Sequence, residues 1–256
     1  MSVKMVLIYF VVCCFVFLAG FVDAIAGGGG LISLPAYMIS GLPVHTAIAT
    51  NKMSSTMGTA VSSWHYFKEG YMRWKLCIPS IFGAIAGSWI GAKAALLISE
   101  RTLKIAMLIV LPLILYYVLR SKALQGKTEN TINNISSSLI AKSVFIALIV
   151  GIYDGIYGPG TGTFLMLLFT GFCHMTLNDA AGTTKAINLT TNVTALTVFF
   201  LNGKVLILLG LAAGLCNMAG NYIGSHTFTS NGHKIVKPIM VVVIVVFFIK
   251  VLIELI

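Results

Sequence analysis

The sequence predicts an all-α membrane protein. About eight transmembrane helices fall into two homologous four-helix repeats, each interrupted by a glycine-broken or re-entrant half-helix. Three observations carry this prediction. The composition is too poor in charge for a water-facing surface. Apolar runs of bilayer length recur along the chain. A motif of acid, glycine cluster and lysine occurs twice.

Of 256 residues, 58% are hydrophobic and 9% charged, and the mean hydropathy is +0.96. A soluble domain carries about 25% charged residues, so lipid must surround most of this chain. The net charge of +10 would suit nucleic acid, but the basic residues form no stripe. They gather where apolar runs end, at Lys68, Arg73 and Lys75, at Arg120 and Lys122, and at Lys234 and Lys237. Positive-inside bias and interfacial snorkelling produce that pattern, and no nucleic-acid partner is expected. Cys13, Cys14, Cys77, Cys173 and Cys216 lie in apolar runs without a CxxC pair and read as small buried hydrophobes. No metal or cofactor is expected. The first apolar run has no small-residue cleavage site leading into a soluble domain, so it reads as a retained helix rather than a signal peptide.

Runs long enough to span lie at 4–26, 44–67, 76–98 and 102–119, then at 139–157, 179–201, 204–225 and 236–255. About 20 residues cross the hydrocarbon core. The apolar pieces 31–40 and 163–170 are too short to cross as helices, and each follows a glycine cluster; both read as half-helices or re-entrant segments. The long polar stretch 121–138 is a linker. The expected units are therefore a first transmembrane repeat at 1–120 and a second at 139–256. At an offset of 131 residues, Gly20 aligns with Gly151, Asp23 with Asp154 and Gly27 with Gly158. At 133, Lys52 aligns with Lys185, Gly70 with Gly203, and Gly87 and Gly91 with Gly220 and Gly224. Four crossings per half make the repeats parallel; an odd number makes them inverted. Lys and Arg counts on the two sides do not decide between these.

The duplicated motif reads Asp23-Ala-Ile-Ala-Gly27-Gly28-Gly29-Gly30 and Asp154-Gly-Ile-Tyr-Gly158-Pro159-Gly160-Thr-Gly162. Each glycine costs a helix about 1 kcal/mol relative to alanine, and proline about 3. In a membrane segment such breaks persist only where freed backbone groups meet protein or a wet cavity. The N–H groups that open the following half-helix suit an anion. Close helix packing by small residues is the alternative. A nucleotide loop is excluded, because no Gly-Lys-Ser/Thr or βαβ pattern accompanies the glycines.

Asp23 and Asp154 lie about one turn before the breaks, and Lys52 and Lys185 sit inside apolar runs. A charge at the bilayer centre costs about 2.5–3.5 kcal/mol even on a lenient scale. These four must therefore pair or face water, either as two Asp–Lys pairs or as one network across the repeat interface. Asn51 and Ser55 flank Lys52 on one helix face, and Asn188 and Asn192 share a face after Lys185. Amide and hydroxyl donors beside a lysine suit an oxyanion; interhelical hydrogen bonding is the alternative. The candidate substrate-binding set is thus Gly27–Gly30, Asn51, Lys52, Ser55, Gly158, Gly160, Gly162, Lys185, Asn188 and Asn192. Asp23 and Asp154 are the candidate coupling groups. The histidines lack metal-ligand spacing, and His65 stands among the belt aromatics Trp64, Tyr66, Tyr71 and Trp74. No nucleophile motif, carboxylate pair or HExxH is present, so no enzyme activity is expected.

At these residues the chain resembles the sulfite exporter TauE/SafE family. The likeness rests on Gly20-Phe-Val-Asp-Ala-Ile-Ala-Gly-Gly-Gly-Gly-Leu-Ile-Ser-Leu-Pro35, on Ala47-Ile-Ala-Thr-Asn-Lys52, and on the second copy around Asp154 to Gly162. It spans nearly the whole length. Pro159 stands where the first copy has Gly28, which makes the two half-sites unequal. The resemblance implies a multi-pass inner-membrane permease for sulfite, sulfonates or other small organic oxyanions. Proton coupling, an anion channel and self-association into a homodimer stay open at this point.

Overall fold

The structure is a computed structural model. It describes residues 3–99 and 135–255, with helical positions scattered between 101 and 119. The expected span at 102–119 and the linker as far as residue 134 lie largely outside the described residues. Among the described residues eight continuous helices follow in chain order: α1 (Val3–Ala26), α2 (Gly30–Ile39), α3 (Val44–Lys68), α4 (Trp74–Ala95), α5 (Ser137–Ile156), α6 (Thr161–Phe172), α7 (Leu177–Leu201) and α8 (Ile207–Leu255). No strand occurs among the described residues.

The glycine clusters end α1 and α5. Gly27 has φ +71° and Gly158 φ +97°, conformations in which a Cβ would collide with the backbone. The chain turns there and restarts as the short helices α2 and α6. Side-chain caps open two of the second-half helices. Ser136 accepts from the Leu139 amide at 3.2 Å and Thr176 from the Asp179 amide at 3.1 Å, satisfying orphan donors of α5 and α7.

Small residues bring the helices together. Along α4, Gly83, Gly87 and Gly91 pack against the backbone of Val144, Leu148 and Ile152 on α5. Along α8, Gly220 and Gly224 pack against Phe17 and Phe21 of α1. Both contacts advance together along the two chains, so each pair runs parallel. Leu206 donates its amide to Thr50 Oγ1 at 3.1 Å, and Gly214 meets Met57 further on, so α3 and α8 are parallel as well. Ser63 Oγ instead reaches the Lys185 carbonyl, while Lys52 reaches Asn192; α3 and α7 are antiparallel. Helices α1, α3 and α8 therefore run one way, and α4, α5 and α7 the other. Because α5 and α7 share a direction, α6 must carry the chain back toward the end where α5 begins. The same holds for α2 between α1 and α3.

Among the described residues four helices are long and apolar enough to cross a membrane: Ile8–Ala26, Trp74–Ala95, Ser137–Ile156 and Ile207–Phe228. Their outward faces carry Phe10, Phe82, Phe145 and Leu215, as a lipid-solvated surface requires. The 25-residue helices α3 and α7 have the length but hold Lys52, Lys185 and a run of Ser, Thr and Asn in the interior. The protein is thus polar at its centre and apolar outside. Trp64, Phe67 and Trp74 stack at one end of the bundle, with the Lys68 ammonium over the Trp64 ring, in keeping with an interfacial aromatic belt.

One expected boundary is absent. The runs 204–225 and 236–255 were separate spans in the sequence reading, whereas α8 is continuous over 49 residues. That is roughly 70 Å of helix. Residues 226–235 carry no proline and a single glycine, Gly232, which costs about 1 kcal/mol, and the His, Thr, Ser and Asn residues there weaken a helix only slightly.

The α4–α5 seam makes a testable contrast. Gly87→Val would drive side-chain carbons into the Leu148 carbonyl, so the purified variant should lose its monodisperse peak on size exclusion or melt well below wild type. Phe82→Leu, on the exposed face of the same helix, should stay within about 0.5 kcal/mol of wild type.

Candidate functional site

The two broken hairpins meet at the centre. Thr163 of α6 donates its amide to the Gly27 carbonyl at 3.3 Å and its hydroxyl to the Ala26 carbonyl at 2.8 Å. A Cβ on Gly27 would overlap the Gly162 backbone, and one on Gly30 would lie 3.0 Å from Pro159 Cα. Only glycines permit the two loops to cross this closely. The starts of α2 and α6 are thereby brought to one place, with the Leu31, Ile32, Thr161 and Thr163 amides paired to backbone carbonyls.

The four buried charges form two ion pairs, and each pair joins the two halves of the chain. Lys52 Nζ of α3 donates to Asp154 Oδ2 of α5 at 2.6 Å, and to Asn192 Oδ1 of α7 at 3.1 Å. Lys185 Nζ of α7 donates to Asp23 Oδ2 of α1 at 2.6 Å, and also to the Asp23 carbonyl. Both lysines are almost fully buried. Each carboxylate stands just before its glycine break, where the broken helix leaves space for a lysine from the opposite half.

The two acids are held differently. Thr161, the first residue of α6, donates its hydroxyl to Asp154 Oδ1 at 2.6 Å. At the aligned position the first half has Gly30, so Asp23 has no such donor. Asp23 is correspondingly more open, with its side chain 13% exposed against 2% for Asp154.

A cavity of about 20 Å³ lies among these groups, room for a water molecule or so. Charged groups Asp23, Lys52 and Asp154 line it, with the backbone of Gly27, Gly30, Gly158 and Gly162. Asn51, Ser55, Asn188 and Asn192 complete the wall together with Thr161. Ser55 bonds to Asn51 Oδ1, and Asn192 to Asn188 Oδ1, so each helix-face pair also braces itself. The remaining candidates stand outside the wall. Gly28 and Gly29 pack around the α1–α2 turn, Gly29 against Asp23 and Ala19. Gly160 is the left-handed N-cap of α6. Lys185 sits behind Asp23.

Thr161 is the lining residue that the sequence reading missed. Its signal was faint, a hydroxyl one residue past the second glycine loop with no partner in the first copy. Arg73 of the α3–α4 turn and Asp179 in the first turn of α7 form a further inter-half ion pair at 2.9 Å, with the arginine partly exposed and the aspartate buried. Among the described residues no three of His, Cys, Asp and Glu converge to hold a metal ion.

Removing one member of a buried pair strands the other, at about 3–5 kcal/mol. Lys52→Ala and Asp154→Ala should each destabilise the purified protein by that order. The double variant should cost less than the sum of the two, because neither charge is then stranded. Strictly additive costs in denaturant titrations would show that the residues are not coupled.

The sequence profile of the sulfite exporter TauE/SafE family matches residues 12–251. The "Probable membrane transporter protein ORF9" of Sinorhizobium sp is 33% identical over 236 residues, covering 92% of this chain and 89% of the relative. The "Probable membrane transporter protein YfcA" of Escherichia coli K12 is 31% identical, covering 88% and 82%. A "Probable membrane transporter protein" of Haemophilus influenzae is 27% identical, covering 90% and 88%. No solved structure matches the chain. With a full-length family match and relatives aligned along almost all of both sequences, the chain belongs to the sulfite exporter TauE/SafE family of membrane transporters.

Proposed function

We propose that the protein is a multi-pass secondary transporter of the inner membrane that carries a small organic or sulfur-containing oxyanion such as sulfite or a sulfonate. The observation that carries this reading is the central cavity, where two half-helix N-termini, a lysine and five amide or hydroxyl side chains converge. Helix N-termini and a cation are the groups that hold an oxyanion inside a membrane protein.

The helix directions support a further element. Each helix of the first half runs opposite to its aligned counterpart: α1 to α5, α3 to α7, and α4 to α8. We read residues 1–120 and 139–256 as inverted-topology repeats, joined by the linker at 121–138. Inverted repeats place a substrate site at their interface and alternate its exposure by rocking. The present cavity is too small for an oxyanion, so it corresponds to a closed arrangement in this scheme.

Charge balance supports proton coupling. Two lysines and two aspartates sum to zero. A bound monoanion leaves the site one charge negative in a low-dielectric setting, where an uncompensated charge is costly. A proton taken up by one aspartate restores neutrality and couples anion and proton movement in one direction.

Purified protein in proteoliposomes, offered gradients of sulfite, thiosulfate, sulfoacetate, taurine and simple carboxylates, tests this reading. Saturable, gradient-driven flux of one class is expected. Flux without saturation points to an anion channel, and product formation without net transport to an enzyme. Lys52→Ala and Lys185→Ala should lose flux while still inserting in the membrane. Normal transport by both variants would remove the anion site.

A further inference from the structure

The two half-sites have the same acid and the same lysine, yet their hydrogen bonding differs. Both oxygens of Asp154 accept strong hydrogen bonds, Oδ2 from Lys52 and Oδ1 from Thr161. Thr161 has a single hydroxyl proton and also lies 2.7 Å from the Gly158 carbonyl, so a proton placed on Asp154 Oδ1 would first have to turn the Thr161 hydroxyl away to Gly158. Asp23 uses only Oδ2 for Lys185; its Oδ1 accepts no hydrogen bond among the described residues. Asp23 also borders the cavity and has the more exposed side chain. A proton can therefore be placed on Asp23 Oδ1 without breaking any contact of that oxygen.

Each lysine has a second acceptor besides its acid, Asn192 Oδ1 for Lys52 and a main-chain carbonyl for Lys185. If Asp23 becomes neutral, Lys185 still donates to the Asp23 main-chain carbonyl. That acceptor cannot be protonated away, so the cation keeps a partner. The other groups facing Asp23 are Tyr66 of α3, whose hydroxyl is already committed to the Ala24 carbonyl, Lys52 of α3, and Asp154 of α5 across the cavity. From α8, Asn217 and Asn221 approach α1 at Gly20 and bring no charge. Asp154 and Lys52 are tied to each other, which leaves Asp23 as the acid with an unoccupied oxygen.

We propose that the half-sites divide their roles: Asp154, held by Lys52 and Thr161, is the structural partner, and Asp23, whose Oδ1 is open, is the carboxylate that takes up and releases the coupled proton at Oδ1. Thr161 is then the residue that makes a duplicated site unequal. Its hydroxyl fixes one acid, and its replacement by Gly30 in the first copy leaves the other open. A single exchangeable proton follows, where two equivalent half-sites would supply two. This rests on the transporter reading for its purpose, but the chemical difference between the acids is independent of transport.

A hydrophobic carbodiimide reacts with protonated carboxyl groups in apolar surroundings and leaves a stable N-acylurea, which peptide mass spectrometry locates. On detergent-solubilised wild type, Asp23 should be modified and Asp154 not, with the yield at Asp23 falling as pH rises. In Thr161→Val, which keeps the shape and removes the hydroxyl, Asp154 should become modified too. Equal modification of both acids in wild type, preference for Asp154, or modification of neither overturns the proposal. Proteoliposomes give the second arm. Asp23→Asn should lose the pH dependence of anion flux, and Asp154→Asn should retain it. The reverse pattern overturns the proposal while leaving the transporter reading intact. Vesicles that carry no anion at any pH would remove the transporter reading, and the labelling result on wild type would still decide which acid exchanges protons.

Discussion

The structure depends on ion pairing that crosses between its halves. Each half carries one acid and one lysine, and neither pairs with its own. Asp23 finds Lys185, and Asp154 finds Lys52. In an apolar bundle an unpaired charge costs several kcal/mol, so neither half is electrically complete alone. The crossing also specifies geometry. For each lysine to reach the opposite acid, α3 and α7 must lie side by side in opposite directions. The glycine loops must also come close enough for Thr163 to bond the Gly27 carbonyl. A Cβ at Gly27 would hold those loops apart and pull both pairs out of reach.

Around that polar centre, cohesion comes from close packing. Lipid tails are as apolar as the helix surfaces, so burying Leu or Phe between helices gains little from the hydrophobic effect. The long helices instead join where Gly83, Gly87 and Gly91 let α4 meet the α5 backbone, and where Gly220 and Gly224 do the same for α8 and α1. Both seams join one half to the other, as the ion pairs do. Large side chains such as Phe82 and Leu215 cover the outside, while others such as Phe169 and Phe199 are buried around the polar centre.

Much of this was legible in the sequence for a physical reason. A glycine cluster or a lysine inside an apolar run is costly unless the fold uses it, so Gly27–Gly30, Gly158–Gly162, Lys52 and Lys185 stood out. The half-helices were readable from length alone. Four things were not. Which acid serves which lysine depends on how the halves pack, and a spacing along the chain carries no such information. The relative direction of the halves turned on a near balance of Lys and Arg between the two sides, whereas contacts such as Ser63 with Lys185 fix the antiparallel run of α3 and α7. Thr161 was hidden because one more hydroxyl in a chain rich in Ser and Thr carries no cost that would mark it. The continuity of α8 through residues 226–235 was misread for a related reason. Polar residues there look like a loop between two spans, but without proline or clustered glycine they do not end a helix.

The size of the cavity sets a condition on how such a centre can work. About 20 Å³ admits water and excludes an oxyanion of several heavy atoms. Its walls come from both halves, with Asn51, Lys52 and Ser55 on one side and Asn188 and Asn192 on the other. To admit an anion, those walls must separate, and the groups that span them are the Lys52 contacts to Asp154 and Asn192. The glycine crossing does not have to move with them, since it is held by backbone and hydroxyl contacts of Thr163 to α1. The crossing is therefore the natural fixed point, and the lysine contacts are what changes. The interactions that hold the two halves together are the same ones an arriving anion would compete for.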